Sequence, residues 1–256
     1  MNTTLRLGLL LGAVAAAQLA GGHDANAQSL LIDFGTDTTY RGISVVNPDS
    51  NGNHWNNIAT GVFYTDLIDK SGAATTIDLG FSTPVGTDSY NGPAGDTAAG
   101  VAATIGATDI DAAALGDLGN VNAAYDFFAE TNARFEIQGL DPAKTYNLSF
   151  YGSHKFNPDA TTVYSVYTDN TYSTLVASTS LDVYEPGSPW LHNRDTVATL
   201  TGVAPQASDI LYVQFTGAGG DFGYLNAMQI TAVPEPTSAL LVASVVGLAV
   251  ARRRTR

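Results

Sequence analysis

Hydrophobic residues alternate with polar ones along most of the chain, and the alternation comes in short runs. In "TTIDLGFST" (75–83), Ile77, Leu79 and Phe81 point one way and their polar neighbours the other, the period-2 pattern of a half-buried strand. "SLLIDFG" (29–35) is a denser apolar run that stops at Gly35. "ARFEIQGLDPAKTYNLSFYGS" (133–153) reads strand, turn, strand, with Gly, Asp and Pro supplying the turn. "TVYSVYTDNTYSTLVAST" (162–179) has a hairpin pattern with Asp169-Asn170 at its tip. Segments 196–203, 209–217 and 223–233 are also β-rich. No long stretch keeps a 3.6-residue apolar period. The pattern predicts an all-β fold, a single jelly-roll-like β-sandwich of about eight or more strands spanning 28–232. Two smaller β-domains are the alternative, but no Pro/Ser linker divides the chain.

One region departs from the pattern. Residues 85–120 are rich in Gly, Ala and Asp, longer than an ordinary loop, and read as a surface excursion with a short helix near Asp111 to Leu118.

The two ends carry a different pattern. Arg6 is followed by an apolar run from Leu7 to Ala20 and by Ala25-Asn26-Ala27. That is the order of a secretory signal peptide, 1–27, cleaved after Ala27 with Ala25 and Ala27 as its small-residue site. At the other end, Val233-Pro234-Glu235-Pro236 precedes an uncharged stretch from Ala239 to Ala251, and Arg252, Arg253, Arg254 and Arg256 follow. A helix over about 237–251 is short for a span, but arginines snorkel. The positive-inside rule puts the arginines in the cytoplasm and the remaining chain outside.

Charge and composition narrow the chemistry. Residues 28–233 hold six Lys/Arg against 22 Asp/Glu. Such an acidic body excludes nucleic acid as a partner and attracts divalent cations. There is no cysteine, which excludes disulfides, thiolate metal sites and thiol catalysis. The exported part must stand on its hydrophobic core alone.

No pattern demands a cofactor, and Ca²⁺ is the one candidate ion. Asn47, Asp49 and Asn51 are spaced two apart ahead of Gly52, a way to converge oxygens on a hard cation. An EF-hand would need Glu at its twelfth position, and Ile58 stands there, so only a looser site is open. Asp109, Asp111 and Asp117 form a weaker set. For catalysis, Ser153 and His154 are neighbours, but adjacent strand residues face opposite ways. There is no G-x-S-x-G elbow and no H-E-x-x-H motif. Glu130, Glu136 and Glu185 supply no recognisable glycosidase pair. For glycans, Trp55 and Trp190 lie in turn-like contexts beside His and Asn, where rings meet sugar C–H faces and amides meet hydroxyls. Tyr40, Tyr90 and Tyr184 sit in similar loops. The competing reading packs both tryptophans at the core edge.

The order Val-Pro-Glu-Pro, apolar helix, basic cluster closely resembles the PEP-CTERM sorting signal of exported bacterial proteins. Val233, Pro234, Glu235, Pro236 and the four arginines carry the match. The resemblance implies recognition by an exosortase at the inner membrane, then release or transfer to the cell surface or an exopolysaccharide matrix. The body of the chain loosely resembles galactose-binding-like sandwiches of carbohydrate-binding modules, through "LLIDFG", "GLDPAKTYNLSFYGS" and "GYLNAMQI". "LDPAKTY" also resembles the L-x-P-x-x-x-Y turn of fibronectin type III domains, which implies a corner formed by Tyr146. The expectation is an exported, non-catalytic structural or adhesive protein with glycan or Ca²⁺ as candidate ligands. A secreted hydrolase acting on polysaccharide or esters is the alternative.

Overall fold

The computed structural model describes residues 28–35, 44–59, 62–88, 97–98, 101–102, 109–154, 160–184 and 192–233. The strands are β1 Ser29–Phe34, β2 Trp55–Ile58, β3 Phe63–Tyr64, β4 Asp78–Phe81, β5 Gly86–Asp88, β6 Thr97–Ala98, β7 Val101–Ala102 and β8 Phe127–Glu130. They continue as β9 Ala133–Gln138, β10 Thr145–Tyr151, β11 Thr161–Tyr167, β12 Leu175–Asp182, β13 Ala198–Val203, β14 Leu211–Gly217, β15 Gly223–Leu225 and β16 Ala227–Val233. Among the described residues two short α-helices, α1 Ala112–Leu115 and α2 Val121–Tyr125, interrupt the series. The protein is predominantly β, as the alternation predicts. Among the described residues no helix is long and apolar enough to cross a membrane. The terminal segments expected to be helical, 1–27 and 237–251, lie outside the described residues.

Two large sheets dominate. One has the order β13-β10-β16-β1-β2 and the other β12-β11-β14-β9-β4-β3. A smaller sheet runs β15-β8-β5, and β6 pairs with β7. Pairing is antiparallel except between β1 and β2. The strand-turn-strand at 133–151 is not a hairpin. Its turn carries the chain from the six-stranded sheet (β9) to the five-stranded one (β10). The pattern at 162–179 is a hairpin, β11 on β12, with Asp169 accepting from Thr171 N–H at its tip.

One face of each large sheet feeds a common core. Ile32, Phe34, Leu148, Phe150, Met228 and Ile230 enter from one side and Phe135, Ile137, Tyr164, Val166, Val213 and Phe215 from the other. Phe150 stacks on Tyr164 across the gap, 4.4 Å between centroids, and Phe34 meets Phe135 at 6.4 Å. Such pairs add about 0.5–1.5 kcal/mol each beyond the area they bury.

The five-stranded sheet is buried on its other face too. There Leu31, Trp55, Tyr151 and Ala227 pack under Val45, Leu115, Leu118, Ala123 and Ala124. That explains why β1 is apolar nearly throughout instead of alternating. It also places the end of the 85–120 region. The helix expected near Asp111 exists, as α1 and the 3-10 turn Gly116–Leu118, and Asp111 caps it by accepting from Ala113 and Ala114 N–H. Its leucines cover the sheet, so this part of the region is a core element.

Candidate functional site

The Asn/Asp loop at 47–53 is held by its own hydrogen bonds. Asp49 Oδ1 accepts from Asn51 and Asn53 N–H, and Oδ2 accepts from the Trp55 indole N–H at 3.0 Å. Asn47 clasps the Trp55 backbone from both sides. Burial pushes the Asp49 carboxyl up, but hydrogen bonds from Trp55, Asn53 and Asn51 outweigh it and hold the group below its ordinary value. The two best oxygens of the expected Ca²⁺ loop are thus already engaged. Asn51 is exposed and borders an opening of about 310 Å³ shared with Asn120 and Asn122. Of the weaker acid set, Asp111 is the helix cap and Asp117 pairs with Lys70 at 2.7 Å. Among the described residues no three His, Cys, Asp or Glu converge as a metal centre.

Trp55 is only 1% exposed. Sitting at the start of β2, it turns its ring into the second core and spends its N–H on Asp49. It presents no ring face to a ligand, and its turn-like neighbours hid this, because the apolar partners come from residues 115–124. Trp190, Tyr40, Tyr90 and Glu185 lie outside the described residues, as do Ala25, Ala27, Pro234, Glu235, Pro236, Arg252, Arg253, Arg254 and Arg256. Val233 ends β16 opposite Thr145.

Ser153 finds a histidine, but not its neighbour. Its Oγ lies 2.8 Å from Nδ1 of His192, 39 residues away, and both side chains are fully buried. The Asn193 carbonyl, an acceptor only, lies 3.0 Å from both atoms. The proton placement that satisfies all three contacts has Ser153 Oγ–H donating to Asn193 O and His192 carrying its proton on Nδ1. A ring nitrogen holding its own proton toward the hydroxyl is not poised to remove the hydroxyl's. The trio joins the 151–154 segment to the 192–193 segment. His154 stacks on Tyr224 at 4.6 Å with Phe127 edge-on, and burial pushes it down to about 3, so the imidazole is neutral.

A polar concavity lies beyond that trio. Ser180, Asp182 and Tyr184 from the end of β12 and Asn193, Arg194, Asp195 and Thr196 line a cleft of about 350 Å³. A bridge between Tyr184 and His192 brings the two stretches together. Asn193 is the scaffold. It donates to the carbonyls of Gly152 and Thr196 and accepts from Thr196 N–H. Asp182 accepts from Thr161 at 2.6 Å, and Asp195 from Thr196 at 2.8 Å. The rim thus offers carboxylates, a guanidinium, a phenol and hydroxyls at one spot, a set that hydrogen-bonds polyols. Tyr184 was legible as a loop aromatic. Asp182, Arg194 and Asp195 were not, because no local spacing links them. No protein-family model matches the chain, and no curated protein matches it significantly.

Proposed function

We propose that the chain is an exported, non-catalytic protein of the bacterial surface or extracellular matrix. Its body is a single jelly-roll-like sandwich with a structural or adhesive role, and it binds glycan in the cleft of Asp182, Tyr184, Arg194 and Asp195. The cleft carries the reading. It is polar and open to a chain of hydroxyls. The shared core of the two large sheets supports one sandwich rather than two domains. Delivery follows from the tail: an exosortase reads Val233-Pro234-Glu235-Pro236 while the apolar helix and arginines hold the chain briefly in the inner membrane.

The hydrolase alternative has one observation in its favour, the Ser153–His192 contact. Full burial of both groups argues against it, and the Asn193 carbonyl beside both atoms favours a proton on Nδ1 over a free base.

The test is binding of the full chain to matrix polysaccharides, by array and then by titration. Tyr184→Ala and Arg194→Ala are expected to weaken binding about 10-fold or more each, as lost polar and stacking contacts do. Ser153→Ala is expected to leave it unchanged. Wild-type protein that retains no polysaccharide, or that turns one over, would overturn the proposal.

A further inference from the structure

Asp33 is the one acid on β1 and is 3% exposed. Its neighbours Ile32 and Phe34 enter the main core, so Asp33 leaves the sheet on the other face. Parallel pairing sets it beside Asn57 of β2. Val45 then ties the two side chains together. Its N–H donates to Asp33 Oδ2, and its carbonyl accepts from Asn57 Nδ2, both at 2.9 Å. These bonds fix the amide orientation and turn Oδ1 of each side chain away from Val45. Both Oδ1 atoms are buried and have no hydrogen-bond partner.

A second carboxylate lies close to the end of β1. Gly35 lies two residues beyond Asp33, and a Cβ there would fall 2.3 Å from Asp126 Cγ and 2.4 Å from its Oδ2. Asp126, 1% exposed, occupies that space. The absence of a side chain at Gly35 is what lets it in. Two buried carboxylates and an amide oxygen thus lie near the end of β1, Asp33 beside Asn57 and Asp126 against Gly35.

An acceptor with no partner inside a protein costs free energy, and a carboxylate costs more. One Asn57 N–H is spent on the Val45 carbonyl, and an ionised carboxylate has no proton to donate. A hard cation satisfies several such oxygens at once. We propose that Asp33, Asn57 and Asp126 hold a structural divalent cation of the Ca²⁺ class beneath residues 109–126. This site is distinct from the 47–51 loop and independent of the glycan reading.

The experiment uses the full chain, stripped with EDTA and dialysed. Unfolding is followed near neutral pH with millimolar CaCl2, MgCl2 or MnCl2, and bound metal is counted by mass spectrometry. Ca²⁺ is expected to raise the wild-type midpoint by about 5 °C and to be retained at one equivalent. Asp33→Asn and Asn57→Leu are expected to lose both effects, while Asp49→Asn keeps them. No shift and no retained metal in the wild type would overturn the proposal whatever the variants do. So would a response that survives in Asp33→Asn, or one that Asp49→Asn abolishes.

Discussion

Tyr146 shows how one side chain can close a turn. The "LDPAK" sequence reverses the chain, and Tyr146, 1% exposed, comes back beneath it. Its phenol oxygen accepts the Asp141 N–H at 2.8 Å. The resemblance of "LDPAKTY" to the fibronectin type III turn implied such a corner, and the contact spans only five residues. Tyr146→Phe keeps the ring and loses the acceptor. It is expected to cost about 1 kcal/mol, read as a lower urea midpoint with unchanged slope. A shift no larger than the measurement error would show that water replaces the bond. Trp55 is the opposite case. Its neighbours in sequence are polar and turn-like, yet its partners in space are apolar and distant, so its burial was not legible.

Among the elements, β15 and β16 illustrate what alternation misses. "GYLNAMQITAV" reads as one strand, but Asn226 divides it between two sheets. The Asn226 side chain accepts from Ser153 N–H at 2.7 Å and donates to the Asp126 carbonyl at 2.8 Å. Its backbone meanwhile accepts from Phe34 N–H and donates to the Tyr151 carbonyl. One residue thus satisfies the backbone of three neighbouring segments where the strand changes sheet. Asn226→Leu removes the side-chain bonds at constant size and leaves buried partners unsatisfied. It is expected to cost about 3 kcal/mol or more, measured by denaturant unfolding. A cost below about 1 kcal/mol would mean the switch is set by packing alone.

For the whole molecule, pH reports on the buried groups. Asp33 has its folded-state pKa raised from 3.8 to about 7, so the metal-free folded state binds its proton more tightly. Its contribution is fully present below about 4 and is lost as pH rises toward 7. His154 works the other way, its folded-state value lowered from 6.5 to about 3, so its contribution grows as pH rises over that range. Asp49, Asp69 and Asp169, all held low in the fold, add stability that disappears only in acid. In EDTA, the midpoint of wild type minus that of Asp33→Asn is therefore expected to fall between about pH 4 and 7. A flat difference would show that Asp33 is not the group responsible.

The sequence by itself determined the β character, most strand positions, the 162–179 hairpin and the Tyr146 turn. All of these depend on residues within a turn or a strand of one another, where sterics and the period-2 pattern act directly. Tertiary structure alone decided which strands share a sheet, that β9 and β10 part company, and that Trp55 faces inward. It also decided that Ser153 meets His192. Alternation says which side of a strand is apolar but not which strand lies beside it. That choice is made by how the side chains of distant segments fill one core, and the candidate sites lie where those segments meet.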